Sequence, residues 1–224
     1  MHRLGKKRLI WEAFIIKILG IVGSMRKNGN TSTLVQRALE TAKEEGIETD
    51  VIFLGDYIIT DCIGCEGCKD SYKCVVNDDM QKIYPLLLEA DAIILGSPTY
   101  FYNVTANVKA FIDRCYCFEM FAEDDRSVWM GINEVLGGKY AVVIAVCEQT
   151  MEVDMGYTAE SMVKPLEALG YRVIDTVKAL GLFKKGEALK DKELLDQVAK
   201  AGKKLARTLM LRKEVERKLK DSIL

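Results

Sequence analysis

Short, continuous apolar runs alternate with segments of helical periodicity along most of this chain. The apolar runs are rich in Ile, Val and Leu and are bounded by glycine or polar residues, which is typical of strands buried on both faces of a sheet. They predict five strands, at 16–22, 50–54, 92–96, 140–146 and 171–179.

The segments between these runs carry apolar residues at helical spacing, and several end in glycine, a common residue just past a helix C-terminus. They predict helices at 33–45, 80–90, 104–115 and 158–169, whereas 118–138 is expected to be an irregular excursion. Alternating strands and helices with right-handed crossovers predict an α/β fold. Its five-stranded parallel sheet is doubly wound, with helices on both faces.

The same pattern predicts the domain organisation. We expect an N-terminal extension at 1–15, one α/β domain at 16–186 and a long helical tail at 187–224. In the tail, Leu211, Val215 and Leu219 are expected to pack on a partner subunit, or else to lie on a solvated, fraying helix. An earlier apolar stripe should close the sheet, and it consists of Leu194, Val198, Ala201, Leu205 and Leu209.

The first apolar run breaks sharply into a polar loop, 23–32, that leads into a helix. Such a loop offers free backbone N–H groups and the positive end of a helix dipole to an anion. It also carries hydroxyl, amide and guanidinium donors and no carboxylate, and we predict a phosphate-binding turn. No P-loop or dinucleotide-binding signature is present, and an ordinary turn with Thr31 or Ser32 as N-cap is the alternative.

Two further loops follow the third and fourth predicted strands. They should meet the first loop, because the carboxyl ends of parallel strands lie at one edge of the sheet. The loop 97–103 holds three aromatic residues that suit the faces of a planar heterocycle, although Tyr102 suits a subunit contact nearly as well. In the loop 147–156, Cys147 and Glu148 are candidate contacts for the edge of the same ring.

Cys62, Cys65, Cys68 and Cys74 lie in one polar loop, residues 55–79, which we call the cysteine loop. Their spacing, C-x2-C-x2-C-x5-C, lets neighbouring thiolates converge on one inorganic core. Four thiolates suit either zinc or a [4Fe–4S] cluster, and the close spacing favours the cluster because zinc sites usually separate two C-x2-C pairs by a longer spacer. Reduced thiols that bind nothing are the remaining alternative.

Composition narrows the choice of partners and compartment. The 224 residues carry a net charge of −1 and a single histidine, His2. The net charge gives no reason to expect nucleic acid or an anionic membrane as a partner, and the single histidine gives no support for histidine-based catalysis. The start of the chain imitates a secretory leader, but Glu12 and Lys17 interrupt its apolar run. We therefore expect a cytoplasmic protein without a membrane span.

The order of three segments resembles the iron–sulfur flavoproteins, a branch of the flavodoxin-like FMN reductases. The segments are GSMRKNGNTS, CIGCEGCKDSYKCVVNDDM and GSPTYFYNVTANVKAFIDR, and the resemblance covers about residues 16–180. It implies a flavodoxin-like fold with one FMN and one [4Fe–4S] cluster per subunit. It also implies a homo-oligomer, either a dimer or a tetramer, with ferredoxin as the electron donor.

Carried over position by position, the resemblance places the FMN phosphate against Ser24, Arg26, Asn30, Thr31 and Ser32. The four thiols of the cysteine loop would ligate the cluster. The residues bordering the flavin ring would be Pro98, Thr99, Tyr100, Phe101 and Asn103. The third loop departs from the family, because many relatives have glycines where this chain has Cys147 and Glu148.

These observations support three hypotheses. The leading one is an oxidoreductase that passes single electrons from ferredoxin or a similar donor through the cluster to FMN, and then to a small acceptor such as dioxygen, peroxide or a quinone. A second is an NAD(P)H-dependent FMN or quinone reductase whose cysteines bind no cluster. A third is a flavodoxin-like carrier that shuttles electrons between protein partners.

Overall fold

The computed structural model describes residues 15–223, and the predicted N-terminal extension falls, except for Ile15, outside the described residues. Seven strands occur in the described part of the chain. They are β1 (Lys17–Val22), β2 (Glu48–Phe53), β3 (Ala92–Pro98), β4 (Glu119–Phe121), β5 (Trp129–Gly131), β6 (Lys139–Val146) and β7 (Tyr171–Ala179).

Six α-helices accompany these strands between residues 15 and 223. They are α1 (Asn30–Glu44), α2 (Met80–Glu89), α3 (Ala106–Arg114), α4 (Ile132–Val135), α5 (Glu160–Ala168) and α6 (Lys192–Ile223). Short 3-10 turns lie at Leu54–Asp56, Cys115–Phe118, Glu152–Met155 and Ala188–Lys190. Across the described residues, no helix combines the length and the apolar character that a membrane crossing requires.

Five of the strands form one parallel sheet in the order β2-β1-β3-β6-β7. The pairing of β1 with β3 runs from Ile18 opposite Ala92 to Val22 opposite Gly96. Strand order reverses at this central pair, so the carboxyl ends of β1 and β3 bound the crevice where doubly wound sheets bind ligands. The predicted α/β fold with a five-stranded parallel sheet is confirmed.

Buried side chains form two clusters, one on each face of this sheet. Because successive residues of a strand point to opposite faces, Leu19 and Ile21 of β1 join the cluster with α2, α3 and α5, whereas Ile18 and Val22 join the cluster with α1 and α6. Gly202 lets α6 pack closely on α1, since a Cβ atom there would lie 2.2 Å from the carbonyl oxygen of Ala38. The stripe from Leu194 to Leu209 is buried, as predicted.

Two local predictions were wrong. The first helix begins at Asn30, not at residue 33, and its N-cap is Gly29, not Thr31 or Ser32. Gly29 is extended, with φ −87° and ψ 176°, and its carbonyl accepts the N–H of Thr33, so three predicted loop residues belong to the first helical turn. The excursion 118–138 contains the antiparallel pair β4 and β5 followed by α4, elements too short to show periodicity.

The end of α6 carries a second apolar stripe that the rest of the described chain does not cover. Leu211, Val215 and Leu219 are 60%, 44% and 54% exposed. Their four-residue spacing keeps them on one side of the helix. We propose that a second copy of the chain covers this stripe, since a self-complementary apolar patch is the usual basis of a symmetric homodimer.

Changing Leu211 and Leu219 together to Glu should place two charges in that interface and shift the protein towards monomer. The matched control is Arg217→Glu, which changes the net charge by the same two units on an exposed position of the same helix. Multi-angle light scattering measures both. A double variant with the parent's mass, or a parent that is already monomeric, would remove the proposal.

Candidate functional site

A cavity of about 490 Å³ opens at the carboxyl ends of β1, β3 and β6, beside the point where strand order reverses. Its size falls within the range of small-molecule and cofactor sites. The three loops that the sequence predicts to meet do meet here. The predicted residues that line the cavity are Ser24, Arg26, Asn30, Thr31, Pro98, Thr99, Tyr100, Phe101, Cys147 and Glu148.

The first loop curls back on itself before α1 begins. The hydroxyl oxygen of Ser24 accepts the backbone N–H of Arg26 at 3.1 Å, and the N–H of Gly29 donates to the carbonyl of Arg26 at 2.8 Å. The N–H groups of the first helical turn have no partner within the helix, and this turn contains no acidic residue. This wall of the cavity therefore has the chemistry of an anion site.

The buried side chain of Asn30 connects this helical turn to the segment 181–188, which follows β7. Its amide nitrogen donates to the carbonyl of Lys184 at 3.0 Å, and its amide oxygen accepts the N–H of Ala188 at 3.2 Å. Glu187 closes the same segment by accepting the N–H groups of Phe183 and Lys184. The Asn30 side chain thus positions a wall of the cavity.

Arg26 reaches across the cavity mouth to the same segment. One guanidinium nitrogen donates to the carbonyl of Phe183 at 3.0 Å, and the guanidinium carbon lies 5.3 Å from the centre of the Phe183 ring. Phe183 lines the cavity although no sequence pattern predicted it there. The only signal in the sequence was a single aromatic residue after the last strand, and Phe183 belongs to no recognisable motif.

The aromatic loop after β3 is a tight turn held in an uncommon conformation. Tyr100 and Asn103 exchange two backbone hydrogen bonds of 2.8 and 3.1 Å. Between them, Phe101 and Tyr102 have φ of 45° and 63°, a region that residues with a Cβ atom rarely adopt. The carbonyl of Tyr102 accepts the N–H of Tyr157, which helps to hold the turn. Phe101 is 98% exposed at the mouth.

One buried hydroxyl of a cavity-lining residue has no partner within the described fold. Among the described residues the Oγ1 atom of Thr99 has no hydrogen-bond partner, although buried hydroxyls are normally paired. The backbone N–H of Thr99 is used within the fold, since it donates to the carbonyl of Val146 at 2.7 Å. A ligand with an acceptor near Thr99 would satisfy this group.

Two predicted site residues do not line the cavity. Ser32 is buried within α1, and the side-chain oxygen of Asn103 accepts the N–H of Val104 and thereby stabilises the aromatic turn. The third loop lines the cavity with the buried Cys147, the exposed Glu148, Gln149 and Asp154. The carbonyl of Cys147 accepts the N–H of Leu182, so this loop also holds the segment 181–188.

The cysteine loop lies elsewhere, between β2 and α2, and none of its four thiols lines the cavity. Cys62 and Cys65 are exposed, whereas Cys68 and Cys74 are half-buried and pack on the apolar core. Burial raises the pKa of the Cys68 thiol, and the charges of Cys74, Cys62 and Cys65 raise it further. The four thiols of the loop therefore interact electrostatically.

The four thiols do not form a metal-ligating group in the described part of the chain. Between residues 15 and 223, no three cysteine, histidine or acidic side chains stand together at ligating distances. The donor set itself fits an iron–sulfur cluster, because four thiols in one loop supply its usual ligands and residues 55–79 contain no histidine. Cluster ligation would require the loop thiols to come closer together than they stand here.

Residues 16–157, more than half of the chain, match the model of the family described as NADPH-dependent FMN reductase. An iron–sulfur flavoprotein of Methanocaldococcus jannaschii is 50% identical over 99 residues, which are 44% of this chain and 51% of the relative. An iron–sulfur flavoprotein of Archaeoglobus fulgidus is 34% identical over 174 residues, 78% of this chain and 68% of the relative. The chain thus spans about half of the first relative and two thirds of the second.

Solved structures agree on the fold. A flavone reductase superimposes with a TM-score of 0.63 at 22% identity, covering 86% of this chain and 62% of that one. At this identity the likeness concerns the architecture alone, and the strand order β2-β1-β3-β6-β7 is that of the flavodoxin-like fold. The chain therefore belongs to the NADPH-dependent FMN reductase family and, within it, to the iron–sulfur flavoproteins.

Proposed function

We propose that this protein is an FMN-dependent oxidoreductase in which a [4Fe–4S] cluster on the cysteine loop feeds single electrons to a flavin in the cavity. The observation that supports it most is the cavity at the carboxyl ends of β1 and β3. It joins an anion-binding helix terminus, an unpaired buried hydroxyl and exposed aromatic rings. A flavin mononucleotide has matching parts, namely a phosphate, a polar chain and a planar ring.

In this proposal the cavity residues divide into two groups. The backbone N–H groups of the first α1 turn, with Ser24 and Arg26, hold the phosphate, because they supply donors and a positive charge at one end of the cavity. Thr99 donates its free hydroxyl to the flavin. At the other end the aromatic turn and Pro98 border the ring, and Cys147 and Glu148 face its edge.

Cys62, Cys65, Cys68 and Cys74 ligate the cluster. When bound, the cluster would supply one-electron transfer, and the flavin would combine single electrons into pairs. The protein contributes by keeping the two sites apart: the thiols lie outside the cavity, so the aromatic turn and the segment 181–188 shape the flavin site without them. The flavin site can therefore form before the cluster does.

Partners and location follow from the same proposal. A ferredoxin or a similar one-electron donor would reduce the protein, and a small acceptor such as dioxygen, peroxide or a quinone would enter at the open, aromatic mouth of the cavity. We place the protein in the cytoplasm as a homo-oligomer, a dimer or a tetramer, without a nucleic acid or membrane partner. The balanced net charge of −1 supports the last point.

One observation favours a second candidate function. The family whose model matches residues 16–157 is described as NADPH-dependent. An NAD(P)H-dependent FMN or quinone reductase without a cluster would use the same cavity. The two functions differ in their electron donor and in whether the thiols matter.

Arg26→Ala should weaken FMN binding by about 1.5–3 kcal/mol, the usual scale for a hydrogen bond to a charged group. The substitution also releases Phe183 from its contact at the cavity mouth. The matched control is Lys27→Ala, which removes the adjacent cation, one that pairs with Asp56 outside the cavity lining. Titration of apoprotein with FMN measures both, and equal losses in the two variants would contradict the assignment of Arg26.

Cys65→Ala should lose the cluster and keep the flavin, because a four-iron core needs its set of thiolates. In stopped-flow experiments dithionite should still reduce the flavin of this variant, whereas fast reduction by ferredoxin should be lost. Ser71→Ala, an exposed substitution in the same loop, is the control and should behave like the parent. Parent-rate reduction of Cys65→Ala by ferredoxin would rule out electron transfer through the cluster. Equal reduction of parent and variant by NADPH alone would favour the second candidate.

A further inference from the structure

Arg114, the last residue of α3, is the largest of the fully buried side chains in the described part of the protein. A guanidinium remains charged under all physiological conditions, and burying it is costly unless it is fully paired. Its partners lie neither in the cavity nor in the sheet. They all lie at the base of the cysteine loop.

The guanidinium binds both stems of the loop at once. On the stem that precedes the cysteines, one terminal nitrogen donates to the carbonyl of Thr60 at 3.0 Å. On the stem that follows them, the other terminal nitrogen donates to Asp78 at 3.1 Å and approaches the carbonyl of Val76 at 3.4 Å. A planar fork of this kind can bridge two chains that are far apart in sequence.

The carboxylate of Asp78, on the second stem, connects to both Arg114 and the first stem. It accepts the N–H of Thr60 at 2.9 Å, the hydroxyl of Thr60 at 2.7 Å and the N–H of Met80 at 3.0 Å, in addition to Arg114. Burial alone would raise the pKa of Asp78, but these hydrogen bonds hold it well below its usual range. The carboxylate therefore stays ionised, and the buried pair stays matched in charge.

One buried donor of the guanidinium remains free at the base of the cysteine loop. The Nε–H of Arg114 has no partner among the described residues. Gln81 supports the same region by donating to the carbonyls of Cys74 and Val76, each at 2.8 Å.

A buried ion pair is weak evidence for a stabilising role, because apolar side chains of similar volume often serve stability equally well. Such pairs have a clearer use in fixing one arrangement of the chain. Here the arrangement fixed is the spacing of the two stems, which limits how far the loop residues between them can spread. The inner pair Cys68 and Cys74 is already packed on the core.

We propose that Arg114 is the positioning residue of the cysteine loop, which it holds closed through Asp78 and Thr60 so that the loop thiols retain a cluster. The inference rests on the proposed function only in taking the loop thiols as cluster ligands. Its structural part, the closure of the stems, applies equally to the metal-free protein, and the two parts can be tested separately.

The test compares the parent with a double variant, Arg114→Gln together with Asp78→Asn, which removes both charges at once and leaves no buried charge unpaired. Arg114→Lys is a second variant that keeps the charge but lacks the fork. The control is Arg126→Gln, because Arg126 pairs with Glu66 of the same loop at 3.2 Å but is half exposed.

Hydrogen–deuterium exchange of the metal-free proteins is measured first. In the double variant and in Arg114→Lys, amides of residues 61–77 should exchange about tenfold faster or more, the factor expected for one lost hydrogen bond to a charged group. Exchange in β1, β3 and β6 should stay at the parent level, and Arg126→Gln should match the parent throughout. Parent-level exchange of the loop in both Arg114 variants would overturn the proposal.

Iron release to a chelator is measured next, on proteins reconstituted anaerobically with iron and sulfide. Release should be faster in the two Arg114 variants by a similar factor, with FMN retained. Parent-rate release in both variants would overturn the role of Arg114 in retaining the cluster. If the parent itself takes up no iron, the proposed cluster is wrong, and the exchange experiment alone decides whether Arg114 closes the loop.

Discussion

The fold depends on one constraint: parallel strands carry their carboxyl ends to the same edge of the sheet, and strand order reverses at β1 and β3. No helix can cover the gap at that reversal, because the crossovers on either side of it run in opposite directions. The loops after β1, β3 and β6 therefore surround an open crevice. The N-terminus of α1 reaches it because Gly29 turns the chain directly into the helix. Cavity shape and anion preference follow from the same backbone arrangement.

Much of this fold could be predicted from sequence, because strands that are apolar on both faces fit few arrangements other than a parallel sheet covered by helices. The strands at 140–146 and 171–179 are close to the observed β6 and β7, and the convergence of three loops followed from their parallel order. Other features have no local signal. Phe183 reaches the cavity only because Asn30, Glu187 and Arg26 hold its segment there. The contacts of Arg26 and Asn30 join residues more than 150 positions apart, and neither periodicity nor spacing encodes them.

The cysteine loop shows a different limit of sequence analysis. Spacing alone indicates four ligands, yet the structure distinguishes two half-buried thiols on the core from two exposed ones. It also shows a buried ion pair between Arg114 and Asp78 at the base of the loop. No sequence pattern predicts this pair, because an Asp just before a helix and an Arg in the last turn of a helix are both common. Asp78 does accept the N–H of Met80, so one side chain serves both the helix and the loop.

The central claim is that one chain carries two separate redox sites, a flavin cavity and a thiol-ligated cluster. The most direct measurement is the absorption spectrum of anaerobically purified protein, combined with iron, sulfide and flavin analysis and the mass of the released flavin. The account predicts one FMN with about four iron and four sulfide ions per chain, the content of a single [4Fe–4S] cluster. Stoichiometric FMN without iron, or iron without flavin, would contradict it.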